Sequence, residues 1–289
     1  PLFGLAISPK KRGDEQKLSD ALHKLEDEDP CFHVEHNVTL NETVMRGLGD
    51  LHLDVLLQQL RDKYNVDVET RPPRIAYRET ITRPAEGHYR HKKQTGGAGQ
   101  FGEVFLRIEP LARGEGFEFA NNVVGGAIPG QFIPAVEKGV QQAISEGAIA
   151  GFPMQDIKVA VYDGKYHAVD SKEIAFVTAG KKAFLEAVEQ AGPVILEPIV
   201  NISITTPDSF MGDITGDLAG KRGQISGTES GRNGRLIIKG QAPLAELEAY
   251  GTRLKAITGG EGTYVIEFSH YEAVPGNVQK QLIDSQVKE

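Results

Sequence analysis

The sequence has 289 residues, of which 39% are hydrophobic and 25% charged, and its formal net charge at pH 7 is −8. This composition is that of a globular protein long enough for two or three domains, and no apolar run approaches the roughly 20 residues that cross a bilayer. A single cysteine, Cys31, excludes an intrachain disulfide and favours a reducing compartment, so we expect a cytoplasmic protein without a membrane partner.

The first domain is predicted over residues 1–73, in the order strand, helix, strand, strand, helix, strand. Strands are predicted near residues 2–7, 32–38, 43–46 and 66–70. Apolar residues spaced i, i+3, i+4 and i+7 predict two helices, one striped by Leu18, Ala21, Leu22 and Leu25, the other by Leu53, Leu56, Leu57, Leu60 and Tyr64. This order is typical of a ferredoxin-like, split βαβ domain.

A larger α+β domain is predicted over residues 74–196, after a linker at Pro72 and Pro73, whose rings favour extended backbone. Its strands are predicted at residues 75–81, 89–95, 101–109, 117–123 and 156–162, with residues 164–167 forming an exposed loop. One helix is striped by Phe132, Val136, Val140 and Ala143. Ser171 is predicted to cap a second helix, striped by Ile174, Val177, Phe184 and Val188.

The pattern of the first domain returns over residues 197–289. Strands are predicted at residues 199–205, 224–228, 235–239 and 263–268. The helices are striped by Phe210, Met211, Ile214 and Leu218, by Leu247, Tyr250, Leu254 and Ile257, and a terminal helix is predicted over residues 278–287. The sequence therefore predicts an α+β chain in which two ferredoxin-like domains flank a larger α+β domain.

Positive charge is concentrated in one segment of this acidic chain. Eight Arg and Lys accompany four Glu between residues 71 and 109, a local net charge of +4. Within it, five basic or histidine side chains precede four glycines, Gly96, Gly97, Gly99 and Gly102, and a strand pattern resumes after Phe101. We predict a mobile basic loop between two strands, and a positive island on an acidic protein indicates an anionic partner.

The motifs of the common enzyme classes fail in this sequence. Residues 97–102 spell G-x-G-x-x-G, but a dinucleotide site needs a helix after the glycines, and the following residues alternate as a strand. The kinase H-R-D and D-F-G motifs, the P-loop and H-E-x-x-H are all absent. His33 and His36 would point to opposite faces of a strand, which is a poor metal pair. We therefore predict no catalytic residue, no metal site and no cofactor in this chain.

A binding function fits the basic loop better. Glycines let a phosphate chain approach the backbone, Arg90, Lys92 and Lys93 supply charge, and His91 or His167 can stack on bases and hydrogen-bond to them. For an isolated segment of this kind, the alternative is a flexible turn beside a solvent-exposed histidine.

Several segments in one order make the chain resemble the last three domains of elongation factor G, the ribosomal translocase. The matching segments are residues 47–54 (GLGDLHLD), 76–81 (AYRETI), 94–102 (QTGGAGQFG), 166–171 (YHAVDS), 210–213 (FMGD) and 222–225 (RGQI). The resemblance covers essentially the whole chain. It implies that the middle domain has the ribosomal protein S5 domain 2-like fold. Because the chain opens at Pro1 on a strand-like run, we expect a fragment of a longer protein.

The resemblance also implies a function. The full-length parent is expected to be a GTPase, with GTP and magnesium bound in a domain upstream of Pro1. The middle domain would mimic a tRNA anticodon arm, its tip loops entering the decoding region of the small subunit, while the last domain touches large-subunit RNA. The partners implied are the rRNA of both subunits, tRNA and mRNA, met by a monomer. The RNA-contacting residues would be Lys92, Lys93, Gln94, Thr95, Gly96, Gly97, Gln100, Lys165, His167 and Asp170.

Three positions depart from the family pattern. Ala98 stands where Arg is common, Lys172 where Ser or Glu is common, and Glu261 where the main translocase usually has Arg. These departures suggest a divergent paralogue. Two alternatives to translocation remain: a ribosome-recycling or ribosome-protection factor of the same superfamily, and an RNA-binding scaffold without a GTPase.

Overall fold

The structure, a computed structural model, describes residues 3–94 and 96–287. The chain forms two compact units, Pro1–Ala76 with Pro198–Ser269 (unit 1) and Tyr77–Glu197 with His270–Glu289 (unit 2). The domain bounds 1–73, 74–196 and 197–289 remain predictions. The α+β fold class is confirmed.

Unit 1 begins with the predicted ferredoxin-like domain. Its elements are β1 (Phe3–Pro9), α1 (Glu15–Glu28), β2 (His33–Asn37), β3 (Glu42–Gly47), α2 (Asp50–Asp62) and β4 (Val68–Arg71). The strand order is β2-β3-β1-β4 and neighbours are antiparallel, so each helix crosses from one strand to the next but one. The leucine stripes of both helices pack against Ile7 and Met45 in the core, as their spacing predicts.

The GLGDLHLD motif of this domain, residues 47–54, contains a histidine that links the two helices. The Nδ1 atom of His52, in the first turn of α2, accepts a hydrogen bond from the Leu48 N–H (3.0 Å), so the ring proton lies on Nε2, which donates to Asp29 Oδ2 (2.7 Å). The bond from His52 and that from the Cys31 N–H lower the pKa of the Asp29 carboxyl. Since Asp29 follows the last residue of α1, His52 ties the beginning of α2 to the end of α1.

Unit 2 contains the predicted middle domain. Its elements are β5 (Arg78–Thr80), β6 (Ala85–Lys93), β7 (Gln100–Pro110), β8 (Phe117–Asn121), α3 (Ile133–Glu146), β9 (Ile157–Lys165) and α4 (Glu173–Gln190). The sheet order is β6-β7-β9-β8, with β8 parallel to β9 and the other neighbours antiparallel. Helices α3 and α4 pack on one face of this sheet, where alternate strand residues such as Val104, Leu106 and Val159 are fully buried.

Two contacts hold the helical layer of this domain together. Helix α3 approaches α4 at Gly139, where an added Cβ would overlap the carbonyl oxygen of Val177. Glu79, in β5, is fully buried, and its carboxylate accepts backbone N–H bonds at 2.7–3.1 Å from Ala148, Ile149, Ala150 and Phe152. The carboxylate therefore organises the loop that follows α3.

The second ferredoxin-like pattern follows. Its elements are β10 (Val194–Pro207), α5 (Met211–Gly220), β11 (Gln224–Ser230), β12 (Arg235–Pro243), α6 (Tyr250–Thr258) and β13 (Thr263–Ala273), in the strand order β11-β12-β10-β13. Strand β10 begins five residues before the predicted start at residue 199, because Val194–Leu196 pair with β5. A terminal helix, α7 (Gly276–Gln286), lies within two residues of its predicted bounds at either end.

Candidate nucleic-acid interface

The glycine-rich part of the predicted basic loop is the connection of a β-hairpin, and the basic residues that precede it lie on strand β6. Strands β6 and β7 pair up to Lys93 and Gln100, so residues 94–99 join them. Around Gly96 the space is open, since an added Cβ would meet nothing within 4 Å. The predicted strand after the glycines is confirmed by β7, so the helix that a dinucleotide site requires does not follow the G-x-G-x-x-G segment. Thr95 lies outside the described residues.

The second loop begins later than predicted. Gly164 and Lys165, expected in an exposed loop, belong to β9, where they pair with Val104 and Glu103. The strand can continue because a register shift between Phe105 and Leu106 keeps β9 aligned with β7. It also depends on Gly164 having no Cβ, since a Cβ there would overlap the carbonyl of Glu103. The loop itself therefore starts at Tyr166.

The two loops are bound to each other. The Phe101 N–H donates to the Asp170 carbonyl (2.9 Å), and the Ser171 hydroxyl donates to the Phe101 carbonyl (3.0 Å). Gly99 is buried against the Asp170 side chain, whose Cγ would lie 2.9 Å from an added Cβ. These contacts join residues 96–101 and 166–171 into one structure, which we call the tip.

Ser171 differs from its predicted role. It does not cap α4, whose N-cap residue is Lys172 and has no side-chain capping bond. The Ser171 hydroxyl accepts a hydrogen bond from the His167 N–H (2.7 Å) while it donates to Phe101, so it bridges the loop and β7. Sequence reasoning missed this role because a Ser before a helix is the ordinary signal of a cap.

His167 is held in one tautomer. Its Nδ1 accepts hydrogen bonds from the backbone N–H groups of Val169 (3.3 Å) and Asp170 (3.2 Å), so the ring proton lies on Nε2. The side chain is 56% exposed, and the ring lies edge-on to Phe101 with centroids 6.4 Å apart. His167 therefore offers a hydrogen-bond donor on a ring whose other nitrogen is engaged by its own loop.

The remaining predicted contact residues divide into two groups. The residues of the first group are exposed, either on the tip or at the strand ends beside it: Lys92, Lys93, Gln94, Gly96, Gly97 and Lys165. Gln100 and Asp170 are partly buried, because Gln100 Oε1 pairs with His91 Nε2 (3.0 Å) and Asp170 packs on Gly99. Ala98 and Lys172, two of the positions that depart from the family pattern, are both exposed here.

Among residues 3–94 and 96–287, no group of three or more His, Cys, Asp or Glu side chains is placed to hold a metal ion. Within the same ranges, the helices are too short or too polar to span a membrane.

Removing the Ser171 hydroxyl should loosen the tip without unfolding the domain. In Ser171→Ala we expect the amides of residues 166–171 to exchange hydrogen about tenfold faster, because the bond from the His167 N–H within the loop and the bond to the Phe101 carbonyl of β7 are both lost. Hydrogen exchange read by mass spectrometry measures this. Ser145→Ala is the control, since that hydroxyl donates only to the Gln141 carbonyl of its own helix. Equal exchange at residues 166–171 in both variants would contradict the bridging role.

Three family models match the chain in succession. The model of elongation factor G domain III matches residues 1–72, that of domain IV matches residues 73–205, and that of the elongation factor G C-terminus matches residues 194–282. The tip lies within the domain IV match.

A solved structure supports the same assignment. A protein from Thermus thermophilus, known from a crystal structure, is 40% identical in sequence to this chain, and the two structures superpose with a TM-score of 0.86. The alignment covers 100% of this chain and 43% of that one, so the present chain spans less than half the length of its structural relative. The chain therefore belongs to the elongation factor G family, of which it carries domains III and IV and the C-terminal domain.

Proposed function

We propose that this chain is the ribosome-binding part of a translation elongation factor that promotes translocation of tRNA and mRNA, with the tip entering the decoding region. The family membership supports a role in translation elongation and the ribosome as partner. The observation that carries the finer proposal is the tip itself, in which two exposed loops are joined into one structure beside the exposed strand-end lysines Lys92, Lys93 and Lys165.

The tip and the strand ends beside it each have a chemical role in this proposal. Lys92, Lys93 and Lys165 are exposed and would contact RNA phosphates. The open backbone at Gly96 would let a sugar–phosphate chain approach closely. His167 would donate from Nε2 to a base or ribose of the codon–anticodon pair, since its Nδ1 is occupied by its own loop.

The energy for movement would come from elsewhere in the parent protein. We propose a GTP-binding domain with magnesium, and the chain described here would act as the mechanical element that this domain positions. Its place of action would be cytoplasmic ribosomes, where it would work as a monomer.

The test uses the full-length parent with GTP on a pre-translocation ribosome, read by toeprinting of the mRNA together with subunit splitting. The wild-type protein should advance the mRNA by one codon. Subunit separation without movement of the mRNA would overturn the proposal in favour of recycling.

Substitutions of His167 sharpen this test. In His167→Ala we expect translocation about tenfold slower or more and GTP hydrolysis almost unchanged, because only the tip contact is lost. His167→Gln, whose side-chain amide can donate from a similar position, should recover part of the rate. His23→Ala, at a 70% exposed histidine in unit 1, is the control. A parallel loss of hydrolysis and translocation in His167→Ala would contradict the assignment.

A further inference from the structure

The middle sheet has a second face, opposite α3 and α4. Alternation along the strands places Val104, Leu106 and Val161 towards the helices, so their neighbours Phe105 and Tyr162 lie on the other face. The open face thus carries three aromatic rings, those of Phe101, Phe105 and Tyr162, all of them partly exposed.

A planar nitrogen-bearing group lies against each ring. The His88 imidazole stacks on Phe105, with centroids 4.1 Å apart and planes inclined by 20°. The guanidinium carbon of Arg90 lies 5.3 Å from the Phe101 centroid, and that of Arg107 lies 5.4 Å from the Tyr162 centroid. These distances are those of favourable stacking and cation–π contacts.

Two of these planar groups are fixed by carboxylates yet remain accessible. Glu103 bonds the His88 Nε2 atom (2.7 Å) and Glu86 bonds Arg107 (3.0 Å), while the His88 side chain is 43% and the Arg107 side chain 51% exposed. Because their orientation is already fixed, binding a flat ligand would cost little further side-chain entropy.

The charge of this face favours an anion near the tip. On strand β6 from Gly87 to Lys93, alternation places His88, Arg90 and Lys92 on this face, and this stretch contains no carboxylate. The facing carboxylate on β7, Glu103, is buried and engaged with His88. The row of planar groups is continuous with the tip, because Phe101 also contacts the His167 ring.

We propose that this open face, made of His88, Arg90, Lys92, Phe101, Phe105 and Tyr162, binds single-stranded RNA. Bases stack on the outer sides of the His88 and Arg90 planes, and Lys92 pairs with the phosphates. Imidazole and guanidinium planes are established stacking partners for unpaired bases, and such stacking tolerates any sequence. This goes beyond the proposed function, since the face extends along the sheet away from the tip and the strand ends beside it, with which it shares only Lys92 and Phe101, and is tested on RNA alone.

The test is fluorescence anisotropy of the 289-residue chain with a labelled oligoadenylate of about ten nucleotides at low salt. Wild type should bind, and His88→Ala with Arg90→Ala should raise Kd about tenfold or more. Arg90→Lys keeps the charge and loses the plane, so it should bind clearly more weakly than wild type. Arg61→Ala removes the same charge at an exposed side chain of α2, in unit 1, and should leave Kd unchanged. Circular dichroism of each variant verifies folding.

Three outcomes would overturn the proposal. The first is that the wild-type chain does not bind the RNA. The second is that Arg90→Lys binds it with the affinity of wild type. The third is that only variants of the tip, such as His167→Ala, lose affinity. None of them bears on translocation, which the toeprint reads independently. With one adenosine of the oligonucleotide replaced by a photoreactive uridine, we expect crosslinks to Phe105 or Tyr162, and crosslinks restricted to residues 96–100 and 166–171 would likewise count against the open face.

Discussion

Glu79→Gln is expected to lower the free energy of unfolding of unit 2 by about 3 kcal/mol. The wild-type carboxylate accepts four backbone N–H bonds, two on each oxygen, at a site with no solvent exposure. Glutamine replaces one oxygen by an NH2 group, so at least one pair of buried N–H donors meets another donor. Each unsatisfied buried donor costs about 1–3 kcal/mol.

Hydrogen exchange of the amides at residues 147–152, followed through a urea titration, measures this effect within unit 2. Glu118→Gln is the matched control, because Glu118 is exposed on β8 and its substitution should change stability by less than about 0.5 kcal/mol. If the two variants unfold at the same urea concentration, the four-bond carboxylate is not the support we describe.

Two Gly→Ala substitutions within helices should have opposite signs. Gly139→Ala should destabilise unit 2 by about 2 kcal/mol, because the new methyl group would overlap the Val177 carbonyl and force α3 and α4 apart. Gly216→Ala, in the exposed part of α5, should stabilise unit 1 by about 0.5–1 kcal/mol, because nothing lies within 4 Å of the new group and alanine favours helix.

Thermal unfolding of both variants, followed by circular dichroism, measures the contrast. A stabilising Gly139→Ala would show that the two helices have room to separate. A destabilising Gly216→Ala would show that α5 is constrained by something other than its own backbone.

The sequence predicted the periodic elements well, for a physical reason. A helix that packs on a sheet must repeat its apolar residues at fixed spacing, and the leucines of α1 and α2 do so and are buried. The same rule fails at helix ends. Ile174 was placed on a buried stripe but is 53% exposed, because it lies in the first turn of α4, beside the tip and beyond the core.

The hairpin connection was predictable from the sequence, and the contacts that hold it were not. Charge and glycine content identified the hairpin loop, since both are properties of one segment. The bond that Ser171 donates to Phe101 joins residues 70 positions apart, and no local spacing encodes it. The open face was not predicted from the sequence for a related reason, because its rings come from separate strands that are brought together only in the sheet.

The hairpin below the tip also determines how the domain bears load. Nine residue pairs join β6 to β7, from Ala85 and Ile108 to Lys93 and Gln100. A push on the tip directed along these strands shears the ladder, so the interstrand bonds resist together and do not open one after another. The 18-residue helix α4 starts beside the tip, is about 27 Å long, and packs against β7 at Gly102 and against β6 at Gly87. The stiffness of the tip against such a push therefore depends on the paired strands and this helix, and not on the glycine loop.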